Sequence, residues 1–308
     1  MEFCIFIEPQ LGLTWQQLLT AAQTAERLGF HGFFRSDHLI WTDRSLRGDP
    51  AISDAWTTLA GLAVATERIR LGTLVTPVTF REPGVLAVQV ANVDAMSGGR
   101  AELGLGAGWN ALEHEAYGIP FPEKRFGRLT EALEIVTGLW ATEPGDRFSF
   151  AGEHYRLDGA LGAQRPTNPS GIPVIVGGAG RPRGAGLAAR FADEFNTWVA
   201  DDAELAARFG RVDEAAGAIG RDPATIRRSL AANVTIGATE AEADARATAQ
   251  GVEPADQCRT ALHGTPAQIA DRLAELAAFG PDRVYLQLLD PADLEQFDLL
   301  AEAVAAVR

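Results

Sequence analysis

Lysine is almost missing from this chain of 308 residues: Lys124 is the only one, although Lys and Arg together number 27. Covalent capture of a carbonyl by an amine would fall to Lys124, whose charged surroundings (Glu123-Lys-Arg125) read as exposed, so Schiff-base chemistry is not expected. Cysteine is nearly as scarce. Cys4 and Cys258 give neither a disulfide framework nor metal-ligand spacing, and Cys4, between Phe3 and Ile5, reads as core. Positive charge is outweighed by 41 acidic residues, and the net charge of −14 argues against a nucleic-acid partner. No apolar run approaches the roughly 18 residues of a membrane span, so no membrane partner is expected. The N-terminus enters a strand-like segment with no basic stretch or cleavage pattern before it, which points to a cytoplasmic location. His31, His154 and His263 are scattered, so no metal site is expected, and neither a Walker loop nor a nucleophile elbow is present.

What is present is an alternation of apolar strands and amphipathic helices. Strand candidates are Phe3–Pro9, Gly32–His38, Arg68–Thr76, the run from Ala101 to Gly106, Pro173–Gly180, Glu194–Ala200, Ser229–Ile236 and Arg283–Leu289. Helices lie between them, the first opened by a Thr14/Gln17 capping pattern. Residues 146–167 break the rhythm and read as a small hairpin near the barrel mouth. Eight strands, helices between them and one composition regime predict a single (β/α)8 TIM barrel over residues 1–308. The competing open doubly wound sheet would carry its glycine fingerprint after the first strand, where none is found.

Chemistry in such a barrel gathers at the C-terminal ends of the strands. The densest candidate is Arg100-Ala-Glu-Leu-Gly-Leu-Gly-Ala-Gly-Trp-Asn-Ala-Leu-Glu113, where Gly104, Gly106 and Gly108 would let a flat ligand lie on bare backbone. Beyond them, Trp109 is either pocket wall or core, and Glu113 is either a base or a solvated helix residue. The second strand ends in Ser36-Asp-His38, with Trp41 shortly after. His38 is suited to proton transfer near neutral pH, or else packs under a loop that Asp37 caps. Gly72-Thr-Leu-Val-Thr-Pro77 closes the third strand. Its Thr73 and Thr76 hydroxyls either bond a ligand or form a polar strand end. Gly177, Gly178, Ala179, Gly180 and Arg181 open a helix and make the best anion seat in the chain, with Arg181 or Arg183 as counter-charge. Arg125 and Arg128 either meet an anionic cofactor tail or pair with Glu131 and Glu134.

Taken in order, these stretches resemble the luciferase-like superfamily, and within it the branch that uses coenzyme F420, an 8-hydroxy-5-deazaflavin. The resemblance runs through Ala25–His38, Ile69–Pro77, Ser97–Asn110, Glu113–Pro122, Pro173–Gly178, Phe191–Asp193 and His263–Leu273. It implies a TIM barrel with the deazaflavin across the mouth. Asp37 matches a cofactor-side aspartate and His38 the histidine at the reacting centre. Thr73-Leu74 matches a non-prolyl cis bulge, so that Thr73, Leu74, Val75 and Thr76 would border the ring. Ala107, Gly108 and Trp109 match ring contacts, and Gly177 to Arg181 the phosphate turn.

One departure stands out. The sugar-phosphate dehydrogenases of that branch carry a glutamate where this chain has Trp109, and use lysines this chain lacks. The expected activity is therefore hydride transfer between F420 and a small, mostly apolar substrate (a C=C, C=N or carbonyl/alcohol), with reduction preferred. His38 and then Glu113 would be the proton partners, and Trp41, Trp109 and Trp198 the substrate walls. The alternative cofactor is FMN, in a two-component monooxygenase with a separate reductase; a non-catalytic flavin binder is a third reading. A homodimer is expected through the second and third helices, whose Leu59, Leu62, Leu86, Val88 and Val90 would otherwise be wet.

Overall fold

A computed structural model describes residues 1–40, 52–251 and 261–307. In chain order its elements are β1 (Glu2–Ile7), α1 (Trp15–Arg27), β2 (Gly32–Arg35), α2 (Ala55–Ala65), β3 (Arg70–Thr73), β4 (Thr76–Pro77), α3 (Pro83–Ser97), β5 (Ala101–Gly106), α4 (Ala111–Tyr117) and α5 (Arg125–Ala141). The hairpin β6 (Arg147–Ala151) and β7 (Arg156–Leu161) follows, then β8 (Val174–Gly177), α6 (Pro182–Phe191), β9 (Glu194–Trp198), α7 (Asp202–Ala218), β10 (Arg227–Ile236), α8 (Glu240–Ala249), β11 (Ala261–Gly264), α9 (Pro266–Ala277), β12 (Arg283–Leu288) and α10 (Glu295–Ala305).

The sheet closes on itself. β1 pairs with β2 and β12, the order runs on through β3, β5, β8 and β9, and β9 meets β10, which returns to β12. Every pairing around this ring is parallel, so all C-terminal strand ends open on one mouth, the expected (β/α)8 barrel. The Thr14 box is formed: Gln17 N donates to Thr14 Oγ1 at 3.3 Å and Thr14 N to Gln17 Oε1 at 3.0 Å. The antiparallel hairpin β6–β7 lies within the expected segment. One strand escaped the sequence reading: β11 adds in parallel to the end of β10, Asn233–Ile236 against Ala261–Gly264.

The base of the barrel is sealed by charge. Arg283 is fully buried and reaches Glu102 (2.7 Å) and Glu194 (3.0 Å), while the Tyr285 hydroxyl donates to Glu194 at 2.6 Å. Burial opposes the charge on Arg283, but the Glu102 carboxylate outweighs it and holds the guanidinium protonated. Above this layer Cys4, Phe6, Phe34, Ile175, Ala231 and Tyr285 fill the interior. What remains open is the mouth.

Two expectations need correcting. The third strand is not continuous: β3 pairs with β2 as far as Thr73, the chain bulges at Leu74 and Val75, and β4 resumes against β5. The cis peptide is Leu74–Val75, one bond beyond the expected Thr73–Leu74. Of the helix residues expected to be wet, Leu59, Leu62, Leu86 and Val90 are core, because α2 and α3 pack on each other as well as on the barrel; Val88 alone is exposed, at 45%. The outward apolar surface is instead Val64 (72% exposed) and Val85 (56%) beside Val88.

Candidate functional site

A cavity of about 600 Å³ occupies the mouth. Phe6 and Glu8 reach it from the end of β1, Ser36, His38 and Ile40 from the exit of β2, and Leu74, Val75 and Pro77 from the bulge and β4. Gly106, Ala107, Gly108 and Trp109 follow β5, Gly177 and Gly178 follow β8, and Trp198, Ala231, Asn233 and Gln287 close the far side. Two smaller clefts, of about 410 and 380 Å³, are lined largely by residues between α5 and β8 and at the barrel base.

His38 and Glu113 meet here from 75 positions apart in the chain. Asn110 caps α4 by accepting from Leu112 N at 3.1 Å, and this points Glu113, in the first turn, inward rather than to solvent. Its carboxylate is fully buried and accepts from His38 Nδ1 at 2.9 Å and from Leu39 N at 3.0 Å. Nδ1 therefore carries the proton in this pair, and Nε2 is the nitrogen left to exchange one. Burial pulls the His38 pKa down, but the hydrogen bond it donates to Glu113 and the charges of Glu8, Glu113 and Asp37 outweigh it, so the pKa stands above the usual histidine value. Trp109, 61% exposed, is a wall of the mouth, with its ring edge-on to His38 at 5.4 Å.

Glu8 is a second acid in the site, which the sequence reading passed over. It is buried, and Gln10 Nε2 and Gln287 Nε2 each donate to it at 2.5 Å. Burial raises its pKa against the opposing pull of His38. The signal was present: Cys4 and Phe6 lie on the inward face of β1, and Glu8, one residue past its end, continues the period-two spacing. Asn196, Asn233 and Gln287 were missed likewise.

The glycines do a different job from the one expected. A Cβ on Gly104 would lie 2.1 Å from the Thr73 carbonyl oxygen, and one on Gly106 would lie 2.6 Å from Val75 Cγ2. The empty volume is thus filled by the bulge, and Val75 rather than bare backbone offers the flat platform in the cavity. Gly108 does need its glycine, with φ at +76°. The threonines turn away from the cavity. Thr73 Oγ1 donates to the Gly104 carbonyl at 3.0 Å and Thr76 Oγ1 to Asp37 at 2.8 Å, both fully buried behind the wall. Asp37 also stands behind it, clamped by Arg81, which bridges to Asp54. A cofactor therefore meets His38, Leu74 and Val75 before it meets Asp37, Thr73 or Thr76.

The turn after β8 sits at the rim. Gly178 N donates to Asn196 O at 3.0 Å, while the amides of Ala179, Gly180 and Arg181 have no partner among the described residues. Arg181 and Arg183 are exposed beside them. From below, Arg211 Nε donates to Gly180 O at 2.7 Å and Nη2 to Ala179 O at 3.2 Å, which fixes the turn's carbonyls away from its amides. Among the described residues Arg125 and Arg128 do not pair with Glu131 or Glu134: Arg125 stacks on Phe121 at 3.9 Å, Arg128 lies over Tyr155 at 5.5 Å, Glu131 caps the backbone of residues 153–155, and Glu134 pairs with Arg190. Trp198, 43% exposed, faces Phe6 at 6.3 Å, and Trp41 lies outside the described residues.

A sequence profile of the luciferase-like monooxygenases matches residues 1–258. The chain belongs to that family. It is 38% identical over 185 residues to an F420-dependent glucose-6-phosphate dehydrogenase of Nakamurella multipartita, covering 59% of this chain and 51% of that protein. To the F420-dependent hydroxymycolic acid dehydrogenase of Mycobacterium tuberculosis it is 34% identical over 238 residues, covering 74% and 61%. The chain thus spans about half the length of the glucose-6-phosphate dehydrogenase and somewhat more of the second relative. Among solved structures, an F420-dependent secondary alcohol dehydrogenase with an F420–acetone adduct superposes with a TM-score of 0.83 at 19% identity, covering 100% of this chain and 99% of that one. The monooxygenase RslO1 of Streptomyces bottropensis gives 0.82 at 23%, covering 99% of each. At such identities the likeness is one of fold.

Proposed function

We propose that this member of the luciferase-like family is a coenzyme F420-dependent oxidoreductase that acts on a small neutral substrate. The observation that carries the reading is the His38–Glu113 pair opening onto the same cavity as the Val75 platform. The residues present fit the cofactor. The bulge offers a flat apolar seat, and the unpartnered amides of Ala179, Gly180 and Arg181 offer an anion three donors at a helix start. When bound, F420 supplies a two-electron hydride carrier at carbon 5 of its deazaflavin ring.

The chain's own residues supply the rest. Leu74 and Val75 support one face of the ring, and Trp109 and Trp198 confine a substrate on the other. In the reduction of a carbonyl, the carbon receives the hydride and His38 Nε2 gives its proton to the oxygen; the alcohol loses both in reverse. Glu113 orients the imidazole and stabilises its charged form. Glu8, a neighbouring acid fed by Gln10 and Gln287, is placed to hold the proton balance of His38.

Substrate charge follows from the walls. No lysine or arginine lines the cavity among the described residues, while Glu8 does. A phosphate-bearing sugar would meet a carboxyl group and no cation, so this chain departs from the sugar-phosphate specificity named for its relative. An uncharged ketone, enone, imine or alcohol suits it. Two copies are proposed to associate through the α2–α3 surface around Val64, Val85 and Val88. Anaerobic fluorescence titration with F420 and, separately, FMN tests the reading. Tight binding of F420 alone supports hydride transfer; preference for FMN would move the protein to oxygen chemistry with a partner reductase.

A further inference from the structure

One amide side chain in the cavity has no hydrogen-bond partner among the described residues. Glu8 is bonded by Gln10 and Gln287, Ser36 Oγ donates to Gln10 Oε1 at 3.0 Å, His38 donates to Glu113, and Asn196 Nδ2 donates to Ser229 Oγ at 3.0 Å. The Asn233 amide is the exception: among the described residues no group bonds it, although it lines the cavity. The inward ladder of β10 sharpens the point. Ser229, at the bottom, is satisfied by Asn196. Ala231 is small and opens depth opposite Trp198, its register partner. Asn233 then stands at the top with both amide functions free, beside Gln287, whose nitrogen is committed to Glu8.

We propose that Asn233 is a subsite for a second, neutral hydrogen-bonding group of the substrate. The substrate class is then a two-function neutral molecule: a reacting ketone or alcohol carbon at His38, and a hydroxyl, carbonyl or amide at Asn233. An amide donates and accepts, so it reads such groups without charge, and among the described residues no cation in the lining favours an acid or phosphate there. β10 and β2 are separated by β12 and β1, three steps of about 4.8 Å around the wall. The two polar groups therefore face each other across the mouth, which suits functions separated by several carbons, as at opposite ends of a six-membered ring. Trp198 and Trp109 cover the apolar body between them. This inference rests on the hydride-transfer reading for its reacting end only.

The test compares cyclohexanone with 4-hydroxycyclohexanone, using the whole protein and reduced F420. Wild type is expected to prefer the hydroxyketone in kcat/KM by about tenfold, the discrimination of roughly one to two neutral hydrogen bonds. Asn233→Leu is expected to remove that preference through KM, its loss on the hydroxyketone being about tenfold larger than any change on cyclohexanone, with F420 affinity by fluorescence and the melting temperature unchanged. Asn233→Thr, which keeps a donor and an acceptor, is expected to restore part of it. Equal losses on both ketones, or a preference that survives Asn233→Leu, would overturn the subsite. A second arm needs no cofactor: ligand-observed NMR of hydroxyketone binding to wild type and Asn233→Leu. If F420 does not bind but hydroxyketone binding still depends on Asn233, the subsite stands and the hydride-transfer reading falls. If F420 binds but hydroxyketone binding is absent or equal in both proteins, the reverse holds.

Discussion

Replacing Glu113 with Gln removes one negative charge and almost no volume from beneath His38, so its effect isolates what that charge does. In the wild-type protein a fully buried carboxylate accepts from Nδ1 at 2.9 Å and from Leu39 N at 3.0 Å. A glutamine oxygen can still accept, but the bond is no longer charge-assisted. Bonds to charged groups contribute about 1.5–3 kcal/mol against about 0.5–1.5 for neutral ones, so the imidazolium loses roughly 1–1.5 kcal/mol of support. That corresponds to about a five- to tenfold smaller protonated fraction at pH values above the His38 pKa. The sign follows from the raised pKa of His38. Reduction needs the protonated ring, so its rate is maintained into the neutral range and falls as pH rises through that pKa; in Glu113→Gln the fall comes at lower pH. Oxidation needs the neutral ring, so its rate rises with pH and in the variant rises earlier. Near neutrality the substitution should slow reduction several-fold and not slow oxidation. Single-turnover stopped-flow across pH in both directions, with anaerobic F420 and a ketone–alcohol pair, reads this directly. Equal losses in both directions with unmoved pH profiles would refute the electrostatic role and leave Glu113 as an orienting group only.

Arg81→Met strands the buried carboxylate of Asp37 and should cost about 3–5 kcal/mol of stability. Melting curves of the variant check it, and an unchanged melting temperature would show that the Arg81–Asp37 pair contributes nothing to stability. Gly104→Ala drives a Cβ into the Thr73 carbonyl and should lower stability by about 1–3 kcal/mol or more while weakening F420 binding, because the bulge must move; an unchanged melting temperature would contradict the packing argument. Val64→Glu with Val85→Glu places charge on the exposed α2–α3 surface, and sedimentation should show a dimeric wild type becoming monomeric; a wild-type monomer at micromolar concentration would remove the dimer.

The barrel was legible because each strand is an apolar run bounded by turn residues, and closure needs no more information than eight such runs in order. The site was legible only in part, and the failures share a cause. Glu113 stands in a seven-residue helix, too short for periodicity to say which face is buried, and the Asn110 cap and His38 decide it in three dimensions. Thr73 and Thr76 look like ligand groups because they close the third strand at the mouth; in a regular strand two residues three apart face opposite sides, and the bulge between them lets both hydroxyls turn into the wall. The same bulge explains why Gly104 and Gly106 look like a bare floor. The volume beside Gly104 belongs to the Thr73 carbonyl and that beside Gly106 to Val75 in the bulge, and no local pattern in β5 announces either. Glu8 and Asn233 were readable as polar residues on the inward face of apolar strands, but inward and outward are assigned only once the barrel is closed.

The closed barrel also sorts charge in a way that composition conceals. A protein of net charge −14 should repel an anionic cofactor, yet the rim beside the Ala179–Arg181 amides gathers Arg181, Arg183, Arg208 and Arg211. Arg208 and Arg211 are tied to Glu204 and to backbone carbonyls, so their positions are fixed, whereas Arg181 and Arg183 are exposed and adjustable. Fixed cations shape the turn, and adjustable ones can follow an arriving anion; both act over about a Debye length, roughly 8–10 Å at ordinary salt. On the opposite side of the mouth Glu8, Glu113 and Asp37 surround His38 and favour its charged form. The cavity is thus polarised across its width, with cations and free amides at the rim after β8 and carboxylates around His38; on the proposed reading the first would draw an anionic cofactor tail and the second would favour the protonated ring. Between these, among the described residues, lies the uncharged wall of Trp198, Ala231 and Asn233, which is why the proposed substrate is a neutral one.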